Sequence, residues 1–281
     1  MTATELDYDA TKADPSGRTD EVSTIPLETL TDEELSVLAP DQGVVVMPVL
    51  TELPPGELDA VRRTAFRGLV ARGIVDPPEA ESLAAAQEGA ASGDVALELR
   101  VRNDVLSALT LRQSASAVIA AGRTTSTGQD FWYAHLVEDV VLLEEVSLDG
   151  LHHFALGRAR DLGTLLEGAV LHPEATDGEG LDVELAVAPD SDAPAELLEV
   201  LGRAYLRADV LVVRREGSET PLPDLTGLFT GPQGSWSVLA RPGSQRAWAT
   251  PETVAELRTR VRAMASLASA ATAPGRQGPT S

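Results

Sequence analysis

Residues 140–156 read VVLLEEVSLDGLHHFAL. Val140 to Val146 and Leu151 to Leu156 are apolar-rich runs, and Asp149-Gly150 lies between them. Glycine tolerates the positive φ that a tight hairpin needs, so this stretch predicts two antiparallel strands. Phe131 to Val137 adds another strand upstream, and residues 158 to 170 carry the apolar spacing of a helix. Adjacent strands joined by a tight turn and followed at once by a helix predict an α+β protein, with antiparallel sheets that bury their apolar faces under helices.

Working outward, Thr31-Asp32-Glu33-Glu34 is a capping-box pattern and predicts a short helix that Pro40 ends. Gly43 to Met47 reads as a strand. Pro54-Pro55 opens a helix over 56–72, with Leu58, Val61, Ala65, Leu69 and Arg72 on one side and Gly73 placed to stop it. A second helix is expected over 78–91. From Val95 the period changes to two, giving a strand to Val101. Leu106–Arg112 and Ala115–Ala121 read as further strands, with helix open for either. PEATDGEG (173–180) is a polar connection and the best internal boundary. Beyond it we expect a strand over 181–187, a helix over 194–206, a strand over 209–214, a loop over 216–234, a hairpin over 235–249 and a closing helix over 251–264.

That order repeats. Helix, strands, hairpin and helix precede the boundary, and helix, strands, hairpin and helix follow it. The expected organisation is an acidic tail (1–26), an N-terminal half (27–172), a C-terminal half (173–266) and a second tail (267–281), with the halves related by an approximate two-fold. Met1 to Glu21 is polar, acidic and poor in large apolar residues, too little to offset the entropy of ordering it.

With Asp+Glu 44 against Lys+Arg 22, the formal net charge is −22. Such a surface repels phosphate backbones and anionic headgroups, which argues against nucleic acid and membrane partners. Cysteine is absent, so disulfide and thiolate-metal chemistry is excluded. No signal-like opening or spanning-length apolar run occurs, and the expected location is the cytoplasm.

Candidate chemistry is sparse. His152 and His153 are neighbours on a strand and face opposite ways, so they cannot ligate one metal together. Glu144 and Glu145 lie across the hairpin and can approach one of them, which makes 140–156 the sole candidate for an enzymatic His/Glu site. No HExxH, GxSxG, GxGxxG or phosphate-loop pattern occurs, and Ser92-Gly93 and Ser235 lack a recognisable base. We therefore expect no catalytic, cofactor-binding or metal residues and no cofactor. Phe131-Trp132-Tyr133 places Trp132 opposite its neighbours; the outer face is either core or a partner surface. Trp236 and Trp248 sit on the two arms of the last hairpin and are expected to pack across it. Arg62, Arg63, Arg67 and Arg72 on the 56–72 helix suggest a winged-helix regulator, against which the acidic surroundings argue.

Three N-terminal segments, ELDAVRRTAFRGLVARGIV (57–75), PPEAESLAAAQEGAAS (77–92) and DVALELRVR (94–102), are joined by a hairpin, WSVLARPGSQRAWAT (236–250), running into PETVAELRTRVRAMA (251–265). This pattern resembles the EspG family, cytosolic chaperones of the ESX (type VII) secretion systems of actinobacteria. The resemblance implies quasi-two-fold internal symmetry. It also implies a non-enzymatic monomer or dimer that binds the helical tip of secreted PE–PPE-like or WXG100-type substrates and masks their apolar surface. The family has no invariant motif, so it identifies no partner-contacting residue here.

Overall fold

A computed structural model describes residues 22–54, 56–77, 99–186, 201–214, 225–240, 244 and 246–270. β1 (Ile25–Thr31) leads into α1 (Asp32–Leu38), α2 (Pro48–Thr51), α3 (Leu58–Ala71) and α4 (Asn103–Ser114). A meander follows: β2 (Ala117–Thr125), β3 (Gly128–Val137), β4 (Val140–Ser147) and β5 (Leu151–Arg158), closed by α5 (Leu162–Val170). The second half contains β6 (Val183–Ala186), β7 (Leu206–Arg214), β8 (Leu225–Thr230), β9 (Trp236–Ala240), β10 (Arg246–Pro251) and α6 (Val254–Ala270).

All these strands form one antiparallel sheet in the order β1-β5-β4-β3-β2-β7-β8-β9-β10-β6. The order is a palindrome about the β2–β7 pair. In each half the first strand sits at the outer edge, the second at the centre, and the next three run back outward. The expected class, α+β with two matching halves, is what the chain adopts. The halves share a single sheet because β2 and β7 pair along their whole lengths, Ala117 opposite Arg214 through Thr125 opposite Leu206. That pairing removes two edges that would otherwise expose unpaired backbone groups.

α5 and α6 pack on each other over β2 and β7. Leu162, Leu166, Ala169 and Val170 from α5 meet Leu257, Val261, Ala265 and Ala268 from α6, each set recurring at helical spacing. Beneath them lie Ile119, Ala121, Trp132, Leu136 and Val210. The opposite face of the N-terminal half has its own core, in which α1, α3 and α4 cover Leu142 and Phe154. Helices therefore lie on both faces of the N-terminal half.

Several local expectations hold. Thr31 caps α1 in a capping box with Glu34, and Gly73 adopts φ +66 just past α3. Gly150 adopts φ +73 in the β4–β5 connection. Trp132 and Tyr133 are buried on opposite faces and Phe131 packs against the Tyr133 cluster, so both faces of that strand are core.

Other expectations are corrected. Residues 106–112, for which helix was left open beside strand, are helical, within α4, because Val105, Ala108, Leu109 and Arg112 are buried at a 3.6-residue period. Gly43 to Met47 is not a strand. Pro48 removes a ladder donor, and the segment docks instead by burying Val45 and Met47 and donating Val46 N–H to the Tyr133 hydroxyl. β1 stands where a helix was expected to be the first element, and β8 crosses the expected 216–234 loop. Gly227 interrupts the β8 pattern, yet a Cβ there would meet Asp209 Oδ1 and Phe229 Cε2 at 3.2 Å. Trp236 pairs with Pro251 and Trp248 with Leu239, which sends the two indoles to opposite faces and prevents them from packing together. The 78–91 helix, most of the 95–101 strand and most of the 194–206 helix lie outside the described residues.

Leu257 is fully buried between the closing helices and the sheet, whereas Leu267 on the same helix is 54% exposed. Leu257→Ala is expected to lower unfolding free energy by roughly 2–5 kcal/mol. Leu267→Ala should stay within about 0.5 kcal/mol. Urea denaturation of the two variants checks this, and equal losses would place the core elsewhere.

Candidate functional site

The positions that face away from α5 and α6 are used differently in the two halves. Following the ladders outward from β2–β7, Val118, Tyr133, His135, Glu144 and His152 in the first half correspond to Arg207, Gly227, Phe229, Val238 and Ala247 in the second. The first set lies beneath the helices and the 41–47 segment that docks beside them. The second lines a groove.

In the first half the hairpin quoted at the outset supplies a buried chain of charge. His152 Nδ1 is 2.7 Å from Glu144 Oε1, and His152 Nε2 is 2.7 Å from Asp32 Oδ1. A carboxylate on each ring nitrogen requires two N–H donors, so the ring is an imidazolium. The second Glu144 oxygen accepts from His135 Nε2 and from Arg112 Nε, both at 2.8 Å, and Arg112 Nη1 donates to Gln42 Oε1 at 2.8 Å. Asp32 Oδ2 accepts from the Val49 and Leu50 amides at 2.8 and 3.2 Å, capping α2, which has no side-chain cap of its own. Two carboxylates, an imidazolium and a guanidinium thus tie α1, α2 and α4 to β4 and β5.

These groups shift one another. Burial alone would raise the Glu144 carboxyl, but hydrogen bonds from His135 and His152 and the charge of Arg112 outweigh it, holding the group well below the usual carboxylate range. Burial alone would lower His152, and its bonds to Asp32 and Glu144 outweigh that and raise it above 6.5. The four side chains are sealed from solvent, Glu144 and His152 completely. The arrangement suits cross-linking within the fold rather than contact with a substrate.

The sequence-derived candidates fall out accordingly. Glu144 does meet a histidine of its hairpin, and that histidine is His152. His153 is on the other face, exposed, and bonds Thr29 Oγ1 through Nδ1 at 3.0 Å. Glu145 pairs with Arg123 at 3.3 Å. Ser235 is buried and donates to the Thr176 carbonyl at 2.7 Å, a structural role. Ser92-Gly93 lies outside the described residues. Among the described residues no cluster of His, Asp and Glu has the geometry to hold a metal. Asp32 and Arg112 were not singled out by sequence. Asp32 reads as an ordinary first-turn acid, and Arg112 belongs to a segment first read as a strand.

In the second half, the floor of β7–β10 forms an open groove of about 1170 Å³. Thr124–Thr127, at the tip of the β2–β3 hairpin, and residues 201–205 form its walls. The Arg207 guanidinium lies 5.4 Å from the Phe229 ring centroid and pairs with Asp209 at 2.8 Å. His172 stands edge-on to Tyr205 at 5.4 Å. Tyr205 is 50% exposed and Leu225 is 41% exposed, so aromatic and aliphatic surface is presented to solvent around a small-residue floor of Gly227, Ala240 and Ala247. None of these residues was a candidate in the sequence analysis, because β8 was hidden in a Gly/Pro-rich stretch.

No family model matches the chain, and no curated protein matches it. Among solved structures, the chain is similar to the Mycobacterium tuberculosis type VII secretion system chaperone EspG5, solved in complex with a PE25–PPE41 dimer. The identity is 10%, with 85% of this chain and 95% of that chain covered, and the TM-score is 0.47. No helix among the described residues is long and apolar enough to cross a membrane.

The buried chain yields a pH prediction. A carboxyl held low when folded contributes stability above its unfolded value, and the contribution is lost as pH falls through the folded value. An imidazolium held high contributes fully below its unfolded value of 6.5, and the contribution is lost as pH rises through the raised value. Unfolding free energy should therefore fall as pH rises above 6.5, and His152→Gln should flatten that limb. Glu144→Gln should destabilise by roughly 3–5 kcal/mol at about pH 6, because it strips the buried Arg112 and His152 of their counter-charge. Urea titrations across pH check both, and an alkaline decline unchanged in His152→Gln would refute the assignment.

Proposed function

We propose that this chain is a non-enzymatic protein-binding protein, a cytosolic chaperone resembling the EspG family that holds a secreted helical substrate before export. The observation that carries this reading is the β7–β10 groove. It is open, with a volume of about 1170 Å³, its Arg207 and Asp209 pair with one another and leave Arg203 as its one further charged group, and its exposed rim carries aromatic and aliphatic side chains. Grooves of that composition suit an apolar helix face, with an aromatic anchor supplying much of the affinity. The sequence resemblance over residues 57–102 and 236–265 supports the same reading and supplies the partner class, a PE–PPE-like or WXG100-type helical hairpin. The two halves, 27–172 and 173–266, would then divide the work, the first as scaffold and the second as docking face. Neither nucleic acid nor a membrane is required, and the free protein would be a monomer or dimer.

Co-expression with a secreted helical-hairpin protein encoded beside this gene should yield a defined complex by size-exclusion chromatography. Tyr205→Ala should weaken that complex by about tenfold, because this half-exposed ring contributes to the groove and not to the core. A complex of undiminished affinity in Tyr205→Ala would remove the groove from the interface. Absence of any complex would overturn the proposed function.

A further inference from the structure

α3 carries Arg62, Arg63 and Arg67 within a chain of formal charge −22. At the end of α3 and on α4, arginines meet carboxylates: Arg72 holds Glu28 and Glu34, Arg102 holds Glu28 and Asp104, and Arg112 holds Glu144. Arg62, Arg63 and Arg67 have no carboxylate partner among the described residues. Arg62 reaches only the Ser36 hydroxyl and Arg67 only the Thr64 hydroxyl, each at 3.4 Å. Arg63 and Arg67 are one helical turn apart, a like-charge spacing that disfavours the free helix.

These arginines border an open groove of about 860 Å³ between α1 and α3. Its apolar surface comes from Val37, Pro40, Phe66 and Leu99. Phe66 lies between the guanidinium-bearing positions, so apolar and basic surface alternate along one helix face. A groove between two helices accepts a third helix through an apolar stripe, and guanidiniums on its rim select carboxylates on the flanks of that stripe.

We propose that the α1–α3 groove docks an acidic amphipathic helix of a partner protein, at a contact separate from the β7–β10 groove. Charge complementarity decides the occupant: the chain is acidic, yet three arginines without a carboxylate partner stand together here beside apolar surface. Unlike charges at the rim orient the helix, while repulsion from the acidic surroundings disfavours docking elsewhere.

The test uses the full-length chain and a fluorescent synthetic helix of about five turns, with leucine on one stripe and glutamate on its flanks. A twin peptide carries lysine in place of glutamate. The glutamate peptide should bind, the lysine twin should not, and Arg63→Glu/Arg67→Glu should weaken binding by more than about tenfold. Both substituted residues are exposed, and thermal denaturation of the double variant, expected to match the parent, checks that it folds. Tyr205→Ala should leave this binding unchanged, which separates the proposal from the β7–β10 groove. No binding, equal binding of the twin or unchanged binding by the double variant would each overturn it. So would binding that emerges only when residues 78–98 are deleted, since the occupant would then be this chain itself. Retention of duplex DNA at about 50 mM salt would mean that the arginines serve phosphates instead.

Discussion

The structure depends on the pairing of β2 with β7. Each half alone would be a small five-stranded sheet with two open edges, and its closing helix would have little to pack on. Joined along the central ladder, the halves create a floor wide enough for α5 and α6 to lie side by side. Each closing helix then buries its stripe against strands of both halves and against the other helix. The alanines at 265 and 268 allow that close approach where larger side chains would hold the helices apart. The two edges that remain are β1 and the short β6, and β1 carries Pro26, a residue that discourages further pairing.

The same sheet geometry then serves two ends. On the face away from the closing helices, the first half places Glu144, His135 and His152 where the second half places Val238, Phe229 and Ala247. Polar residues at those positions would be costly beneath helices unless the charges met counterparts, and Glu144 and His152 do, through Arg112 and Asp32, while His135 Nδ1 and Arg112 Nη2 are buried without a partner. The resulting network contributes less stability than apolar packing of equal volume would, but it specifies geometry. α1, α2 and α4 can dock in one register only, because any slip would strand a buried charge. Small and apolar residues at the matching positions of the second half demand no such cover.

How much of this was legible in the sequence follows from where each element gets its stability. The 131–170 stretch was read closely because its strands alternate, its turn contains glycine, and its helix has a clean apolar stripe. Repetition of element order between the halves was visible for the same reason, although the residues themselves had diverged. β1 was not legible: it is an edge strand interrupted by Pro26 and with a register shift before Thr29, and its partner β5 lies more than a hundred residues away. β8 was hidden by Gly227, whose presence answers to Asp209 and Phe229 across space rather than to any local preference. The hairpin was correctly seen as the place where histidine meets glutamate, but its partners Asp32 and Arg112 come from helices, and only the fold brings them there. A local pattern cannot distinguish a carboxylate capping a helix in solvent from one that caps a helix and also grips a buried imidazolium.

That distinction bears on function. A histidine across a hairpin from glutamates looks, on the page of a sequence, like the start of acid–base chemistry. Such chemistry needs one face of the group open to a reacting atom. Both nitrogens of His152 are committed, both oxygens of Glu144 are committed, and the ring is sealed under α1 and α2. The polar capital of the first half is therefore spent on holding helices. Surface available for contact lies where the sheet floor is smooth and the rim aromatic, and where α3 carries cations without anions. In a chain of formal charge −22, those two places offer the properties that recognition reads, apolar area in the one and apolar area beside clustered positive charge in the other.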